Sequence, residues 1–138
     1  MQCHVVLDTG PLVAFLNRRD HYHQWVVAQW KAIKPPLLTC EPVIAESCFL
    51  LRQISGGSNS VMRLIEKQVI KVDFTLSQEV KALGQSLTKY SSVPMSLADS
   101  CLVRMMEKRP GSHLLTLDSD FRIYRKNRNQ AISVIMPD

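Results

Sequence analysis

Apolar positions in this chain fall into two patterns that alternate: short unbroken runs, and longer stretches with helical spacing. Val5-Val6-Leu7 is a short run and predicts a buried strand. Thr9-Gly10-Pro11 break it and start a helix whose apolar positions are Leu12, Val13, Phe15 and Leu16. Residues 21–33 predict an amphipathic helix, with Trp25, Val26, Ala28, Trp30 and Ile33 on its apolar side and Pro35-Pro36 ending it. Residues 37–40 form the second apolar run. Glu41-Pro42 then opens a helix, because proline suits a first helical turn. It extends over residues 43 to about 54 and stops at Ser55-Gly56-Gly57. A helix is expected over 58–67, a third strand over 69–74 and a helix over 77 to about 88. After a loop at 91–95, Ser96 starts a helix to about 108, and residues 113–117 form a fourth strand ending in Asp118. A short basic, partly helical stretch, 122–128, precedes a last strand at 132–135.

Five short strands separated by helices predict an α/β fold, a parallel sheet covered on both faces. The 138 residues suffice for one core and show no repeat, low-complexity tract or linker, so a single domain over 1–138 is expected. No apolar run approaches the ~20 residues of a membrane span, and the first residues lack a signal-peptide pattern. A soluble, cytoplasmic protein is the expectation. Cys3, Cys40, Cys48 and Cys101 form no C-x-x-C pair and lie near no histidine at zinc-site spacing, which reads as reduced packing residues. The net charge of +5 permits a polyanionic partner without requiring one.

The candidate chemistry is acidic. Asp8 and Asp118 both end apolar strands, Glu46 lies in the first turns of the helix after the second strand, and Asp99 lies in the first turn of the helix begun by Ser96. Asp120 follows two residues after Asp118. In a doubly wound sheet the first strand borders the switch point. With the fourth strand as its neighbour there, Asp8 and Asp118 would lie about one strand spacing, ~5 Å, apart. Helices entered from the same edge would bring Glu46 and Asp99 to that rim. Clustered carboxylates cannot all ionise cheaply, and a divalent cation removes the penalty. Oxygen donors without His or Cys favour Mg²⁺ or Mn²⁺. Such an ion activates water and stabilises phosphoryl transfer. Each acid also has a purely local reading. Asp99 completes a capping box with Ser96, Asp118 caps the following turn, Asp8 orients Thr9-Gly10, and Glu46 is a solvated helix residue.

Val6-Leu7-Asp8-Thr9-Gly10-Pro11-Leu12, Glu46 in a helix, Pro94-Met95-Ser96-Leu97-Ala98-Asp99, and Leu115-Thr116-Leu117-Asp118-Ser119-Asp120-Phe121 together resemble the signature of PIN domains, in particular the small VapC-type toxin ribonucleases. The resemblance runs over nearly the whole chain in the expected order. It implies a three-layer α/β/α sandwich with a five-stranded, mainly parallel sheet and a Mg²⁺- or Mn²⁺-dependent endoribonuclease. By motif position, Asp8, Glu46, Asp99 and Asp118 would be the catalytic and metal-site acids. Asp120 would support them, with Thr116 and Ser119 adding hydrogen bonds. It further implies an RNA substrate, a homodimer, and a cognate antitoxin whose tail fills the groove, without any membrane partner.

Other readings fare less well. Asp8-Thr9-Gly10 also matches an aspartic-protease loop, but that chemistry needs an all-β setting. A haloacid dehalogenase would have a second Asp where Gly10 stands. A response-regulator receiver would need an Asp cleanly after the third strand, and Asp73 is expected inside it. His21 and His23 read as surface residues. The basic residues Arg122, Arg125, Lys126 and Arg128 are candidates for RNA phosphate contact, with Tyr124 available to stack on a base and Arg18 and Arg19 as weaker candidates. A PIN nuclease of RNA processing, or a catalytically silent PIN-like module that binds RNA or protein, are the alternatives to a toxin.

Overall fold

The computed structural model describes residues 4–138. In chain order the elements are β1 (Val5–Leu7), α1 (Thr9–Leu16), α2 (His23–Lys31), β2 (Leu37–Thr39), α3 (Glu41–Leu50), α4 (Gly57–Glu66), β3 (Ile70–Val72), α5 (Val80–Lys89), α6 (Leu97–Lys108), β4 (His113–Leu115), β5 (Arg125–Lys126), β6 (Gln130–Ala131) and β7 (Val134–Ile135). Short 3₁₀ turns span Leu76–Gln78 and Ser119–Arg122.

Five strands form one sheet in the order β3-β2-β1-β4-β7, and every pairing in it is parallel. From β1 the chain moves outward to β2 and β3, then returns to lay β4 and β7 on the other side. The boundary between β1 and β4 is therefore the switch point, where the carboxyl ends of strands leave a crevice. Val5↔His113, Val6↔Leu114 and Leu7↔Leu115 set the register there, so Asp8 leaves the sheet beside Thr116.

Successive side chains on a strand point to opposite faces. Val5, Val6 and Leu7 are nevertheless all buried, as are Leu37, Leu38 and Thr39. Both faces of these strands are covered, which gives the expected three-layer α/β/α sandwich. The edge strand β3 differs: Ile70 is buried and Lys71 is exposed. One layer packs through Leu12, Ala14, Val26 and Trp30 of α1 and α2, where Phe15 stacks on Trp30 with ring centroids 4.0 Å apart. Helix α6 is enclosed around most of its circumference, with Ala98, Cys101, Leu102, Val103, Met105 and Met106 all buried. It packs against α5, α3 and β1.

The structure corrects several boundaries. Helix α3 stops at Leu50, before residue 54, because Gly56 has φ 71° and a Cβ on Gly57 would lie 2.5 Å from the Leu51 carbonyl oxygen. Strand β3 ends at Val72, so Asp73 directly follows the strand, where it pairs with Arg109. Residues 122–128 are not a helical stretch. The 3₁₀ turn ends at Arg122, and β5 and β6 then pair antiparallel across a turn holding Asn127 (φ 47°) and Arg128 (φ 78°). Left-handed residues cannot continue a right-handed helix, and asparagine tolerates that region better than most. Cys40 and Cys101 are buried free thiols and Cys48 is half-buried; Cys3 lies outside the described residues. Among the described residues no helix is long and apolar enough to cross a membrane.

Candidate active site

Asp8 begins where β1 ends. Its backbone N–H still donates to the Leu115 carbonyl (3.1 Å), continuing the β1–β4 ladder, while its side chain caps α1. Oδ1 accepts from the Thr9 N–H at 2.7 Å and Oδ2 from the Thr116 hydroxyl at 2.7 Å. The Thr116 oxygen in turn accepts the Asp118 N–H at 3.0 Å. One hydroxyl thus ties the carboxyl ends of β1 and β4 together. Asp8 is 6% exposed. Its carboxyl is pushed up to about 6, first by burial and then by the charges of Asp99 and Asp118, against the two hydrogen bonds.

Asp118 caps the 3₁₀ turn by accepting the Asp120 N–H at Oδ1, 2.9 Å. Asp99 occupies the third position of α6 in a full capping box. The Ser96 N–H donates to Asp99 Oδ2 (3.1 Å), and the Asp99 N–H donates to Ser96 Oγ (3.0 Å). The Tyr124 hydroxyl adds a donor to the same Oδ2 at 3.3 Å. Burial and the Asp118 charge hold Asp99 above the usual carboxylate range despite these donors. Glu46 projects from the second turn of α3 and is the most exposed of the four acids. It too is raised, by desolvation and then by Asp99 and Asp118.

The local and the constellation readings therefore hold together: three of the four acids cap a helix, and all four line one cleft. That cleft has a volume of about 400 Å³ and also includes Thr9, Gly10, Leu117 and Ser119. No Lys, Arg or His lines it. None of the ion pairs among the described residues involves these acids. Donors to Asp99 converge on Oδ2 and the donor to Asp118 is on Oδ1. Among the described residues Asp99 Oδ1, Asp118 Oδ2 and both Glu46 oxygens accept nothing.

This donor set suits a hard divalent cation: it is all oxygen, anionic, and without internal counter-charge. A further observation points the same way. The Thr9 hydroxyl is buried in the cleft wall with no partner, and so is that of Ser47 beside Glu46. A buried hydroxyl without a partner costs free energy, and Thr9 faces the space a ligand or its water would fill. No three His, Cys, Asp or Glu side chains among the described residues are arranged to hold a metal as they stand. The carboxylates share a rim without closing on a point, as mutually repelling charges do.

Of the supporting residues, Thr116 bonds directly to Asp8 and Ser119 lines the cleft. Asp120 acts through its backbone, donating to Asp118 and accepting from the Ile123 and Tyr124 N–H groups. Its carboxylate is not among the groups lining the cleft. None of Arg122, Arg125, Lys126 and Arg128 lines the cleft; Arg125 and Arg128 border a different cavity. Arg18 and Arg19 follow the far end of α1, about 12 Å along the helix from Asp8. His21 is exposed, and His23 bonds the Ala14 carbonyl at 2.6 Å.

Tyr124 corrects the sequence reading. Its ring is fully buried between Tyr90 and Phe121, with centroids at 5.1 and 5.3 Å, and cannot stack on a base. Its hydroxyl instead reaches Asp99. Burial and the charges of Asp99 and Asp120 raise its pKa, so it stays protonated as a donor. Neither Tyr124 nor the Thr9 hydroxyl is recognisable as part of the site from spacing alone. Thr9 has only its position next to Asp8 as a signal.

None of the curated proteins matches the chain. Among solved structures the fold is similar to that of Mycobacterium tuberculosis VapC20, a toxin that cleaves the sarcin–ricin loop. The TM-score is 0.73 at 21% identity, over 84% of this chain and 91% of that one. The PIN domain family matches over residues 5–127. With that match spanning most of its length, the chain belongs to the PIN domain family.

Proposed function

We propose that this single-domain protein is a metal-dependent endoribonuclease and the toxin of a type II toxin–antitoxin pair. The observation that carries the reading is the cleft of Asp8, Glu46, Asp99 and Asp118, which holds four carboxylates and no cation of its own. Membership of the PIN family and the likeness to VapC20, itself an RNA-cleaving toxin, support the substrate class. The remaining expectations belong to the same reading: cytoplasmic location, a homodimer, and an antitoxin that covers the groove.

Asp8, Glu46, Asp99 and Asp118 would hold Mg²⁺ or Mn²⁺. When bound, the ion supplies a nucleophilic water at neutral pH and neutralises charge on the scissile phosphate. The chain's own residues do the rest. Thr9 N–H and Thr116 lock the Asp8 carboxylate in place. Ser96 and Tyr124 occupy one oxygen of Asp99 and leave the other facing outward as a ligand. The Thr9 hydroxyl is free to donate to a water or a phosphate oxygen. Basic side chains outside the cleft hold flanking phosphates. No side-chain nucleophile is required.

Incubating the purified protein with total RNA in Mn²⁺, in EDTA, and as Asp8→Asn tests the proposal. Cleavage in Mn²⁺ alone, lost in the other two, is expected. Cleavage that survives both EDTA and Asp8→Asn would contradict it. Expression in a host lacking any antitoxin tests the toxin role separately: growth arrest is expected, and unimpaired growth alongside active nuclease would leave an RNA-processing enzyme.

A further inference from the structure

A second cavity, of about 270 Å³, lies between α5, α6 and the β5–β6 hairpin. It shares no lining residue with the carboxylate cleft. Its charge is the inverse of the cleft's. Four cations border it: Lys89, Arg104, Arg125 and Arg128. Arg104 is neutralised by Glu79 (2.7 Å) and Glu107 (3.3 Å). Glu107, the only acid on the border, is engaged by Arg104 and by the Asn127 N–H at 2.7 Å. Lys89, Arg125 and Arg128 have no carboxylate partner among the described residues.

What those three do bond to is backbone. Lys89 Nζ donates to the Arg128 carbonyl at 2.9 Å. One guanidinium nitrogen of Arg125 donates to the carbonyls of Arg122, Ile123 and Tyr124, which orients the group and leaves its other nitrogens without acceptors. Arg128 is held in the left-handed region at φ 78°, and nothing among the described residues accepts from its guanidinium. A non-glycine residue kept in that conformation is costly and recurs at ligand clamps. The wall behind the cations is apolar, made by the Tyr90 ring and Val103. Converging cations over an apolar wall match a phosphate joined to a nucleoside.

We infer that this cavity is a phosphate-ester site, distinct from the carboxylate cleft, in which Lys89, Arg125 and Arg128 hold the phosphate of a nucleotide and Tyr90 and Val103 face its nucleoside. Where the nucleotide is part of an RNA strand, the inference rests on the nuclease reading and gives that strand a second anchor. Where it is free, the site stands apart from that reading. The cavity also touches the cleft through Tyr90, which packs on Tyr124, whose hydroxyl bonds Asp99.

The test is binding in EDTA, so that no strand is cut, with a fluorescent single-stranded oligoribonucleotide and, separately, with AMP. Arg128→Gln is compared with Arg63→Gln, an exposed position on α4 that removes the same charge elsewhere. The expected result for the oligonucleotide is a Kd raised about 3- to 10-fold by Arg128→Gln and unchanged by Arg63→Gln. The salt dependence of log Kd should fall by about 0.7 for the lost phosphate contact. If AMP binding is what Arg128→Gln removes, the site holds and its ligand is a free nucleotide. Equal effects of the two variants on both probes would overturn the inference while leaving nuclease activity to be judged by the cleavage assay. Binding of neither probe to the wild-type protein would also overturn it.

Discussion

The two ends of α6 hold carboxylates in opposite electrical surroundings. At its amino end Asp99 joins Asp8, Glu46 and Asp118 around a cleft with no basic side chain. In its carboxyl half Arg104 and Lys108 grip Glu79 at 2.7 and 2.6 Å, Arg104 also meets Glu107, and Arg109 just beyond pairs with Asp73. The consequences run in opposite directions. Lys108 and Arg104 hold Glu79 below the usual carboxylate range, whereas Asp8, Asp99 and Glu46 are all raised. An acid raised by burial and by like charges is not there for stability; it is kept ready for something that brings positive charge. The paired end shows that this chain can neutralise its carboxylates, which makes their isolation at the other end the informative feature.

Breaking the cleft end should have the largest effect. Asp99→Asn keeps an oxygen for the capping box, so the fold should persist by circular dichroism. Its RNA cleavage should fall by about a thousandfold or more, the loss of several kcal/mol of charge stabilisation. Cleavage within a few-fold of wild type would break the comparison.

Next in size is the stability of the metal-free protein. Asp8 binds its proton more tightly folded than unfolded. The stability this contributes is full below the unfolded value of 3.8 and is lost as the pH rises through about 6. At neutral pH the buried charge therefore costs up to about 3 kcal/mol. Asp8→Asn removes that charge and should raise Tm in EDTA at pH 7.5 by about 3–10 °C. The gain should vanish near pH 4. A lower Tm for the variant at pH 7.5 would contradict the picture.

Tyr124→Phe sharpens the comparison at one hydroxyl. It keeps the packed ring and removes one of the donors to Asp99 Oδ2. Mn²⁺ affinity should fall about tenfold with the fold intact, the effect of losing a partner of a metal ligand. Unchanged Mn²⁺ affinity would confine Tyr124 to packing.

The smallest effect belongs to the paired end. Glu79→Gln should lower Tm by a few degrees without changing cleavage. Its pH dependence has the opposite sign to that of Asp8. A depressed carboxyl contributes stability above its unfolded value and loses it on acidification. The wild-type advantage over Glu79→Gln should therefore shrink as the pH falls below the ordinary carboxylate range.

How much of this was legible in the sequence differs between the two ends. The four acids could be found because each follows a strand or opens a helix, and the order of apolar runs was enough to expect β1 beside β4. The strands proved shorter than their apolar runs, since Leu117 and Phe74 continue the pattern after the ladder has ended. Asp73 was misjudged for that reason. The turn at Asn127-Arg128 was read as part of a helical basic stretch because charge density carries no information about φ. Tyr124 was misread because a tyrosine among arginines looks exposed; that its ring is enclosed by Tyr90 and Phe121 depends on a contact 34 residues away in the chain. Pairing of Glu79 with Arg104 and Lys108 is likewise a product of α5 packing on α6, invisible to local spacing.

The central claim is that the carboxylates of the cleft are completed by a divalent cation. Titrating Mn²⁺ into the metal-free protein at pH 7.5 by calorimetry, for wild type and Asp8→Asn side by side, tests it most directly. The account predicts saturable binding by wild type with release of protons, as Asp8 gives up a carboxyl proton held up to about pH 6, and little or no binding by the variant. Equal binding by both proteins, or none by wild type, would contradict it.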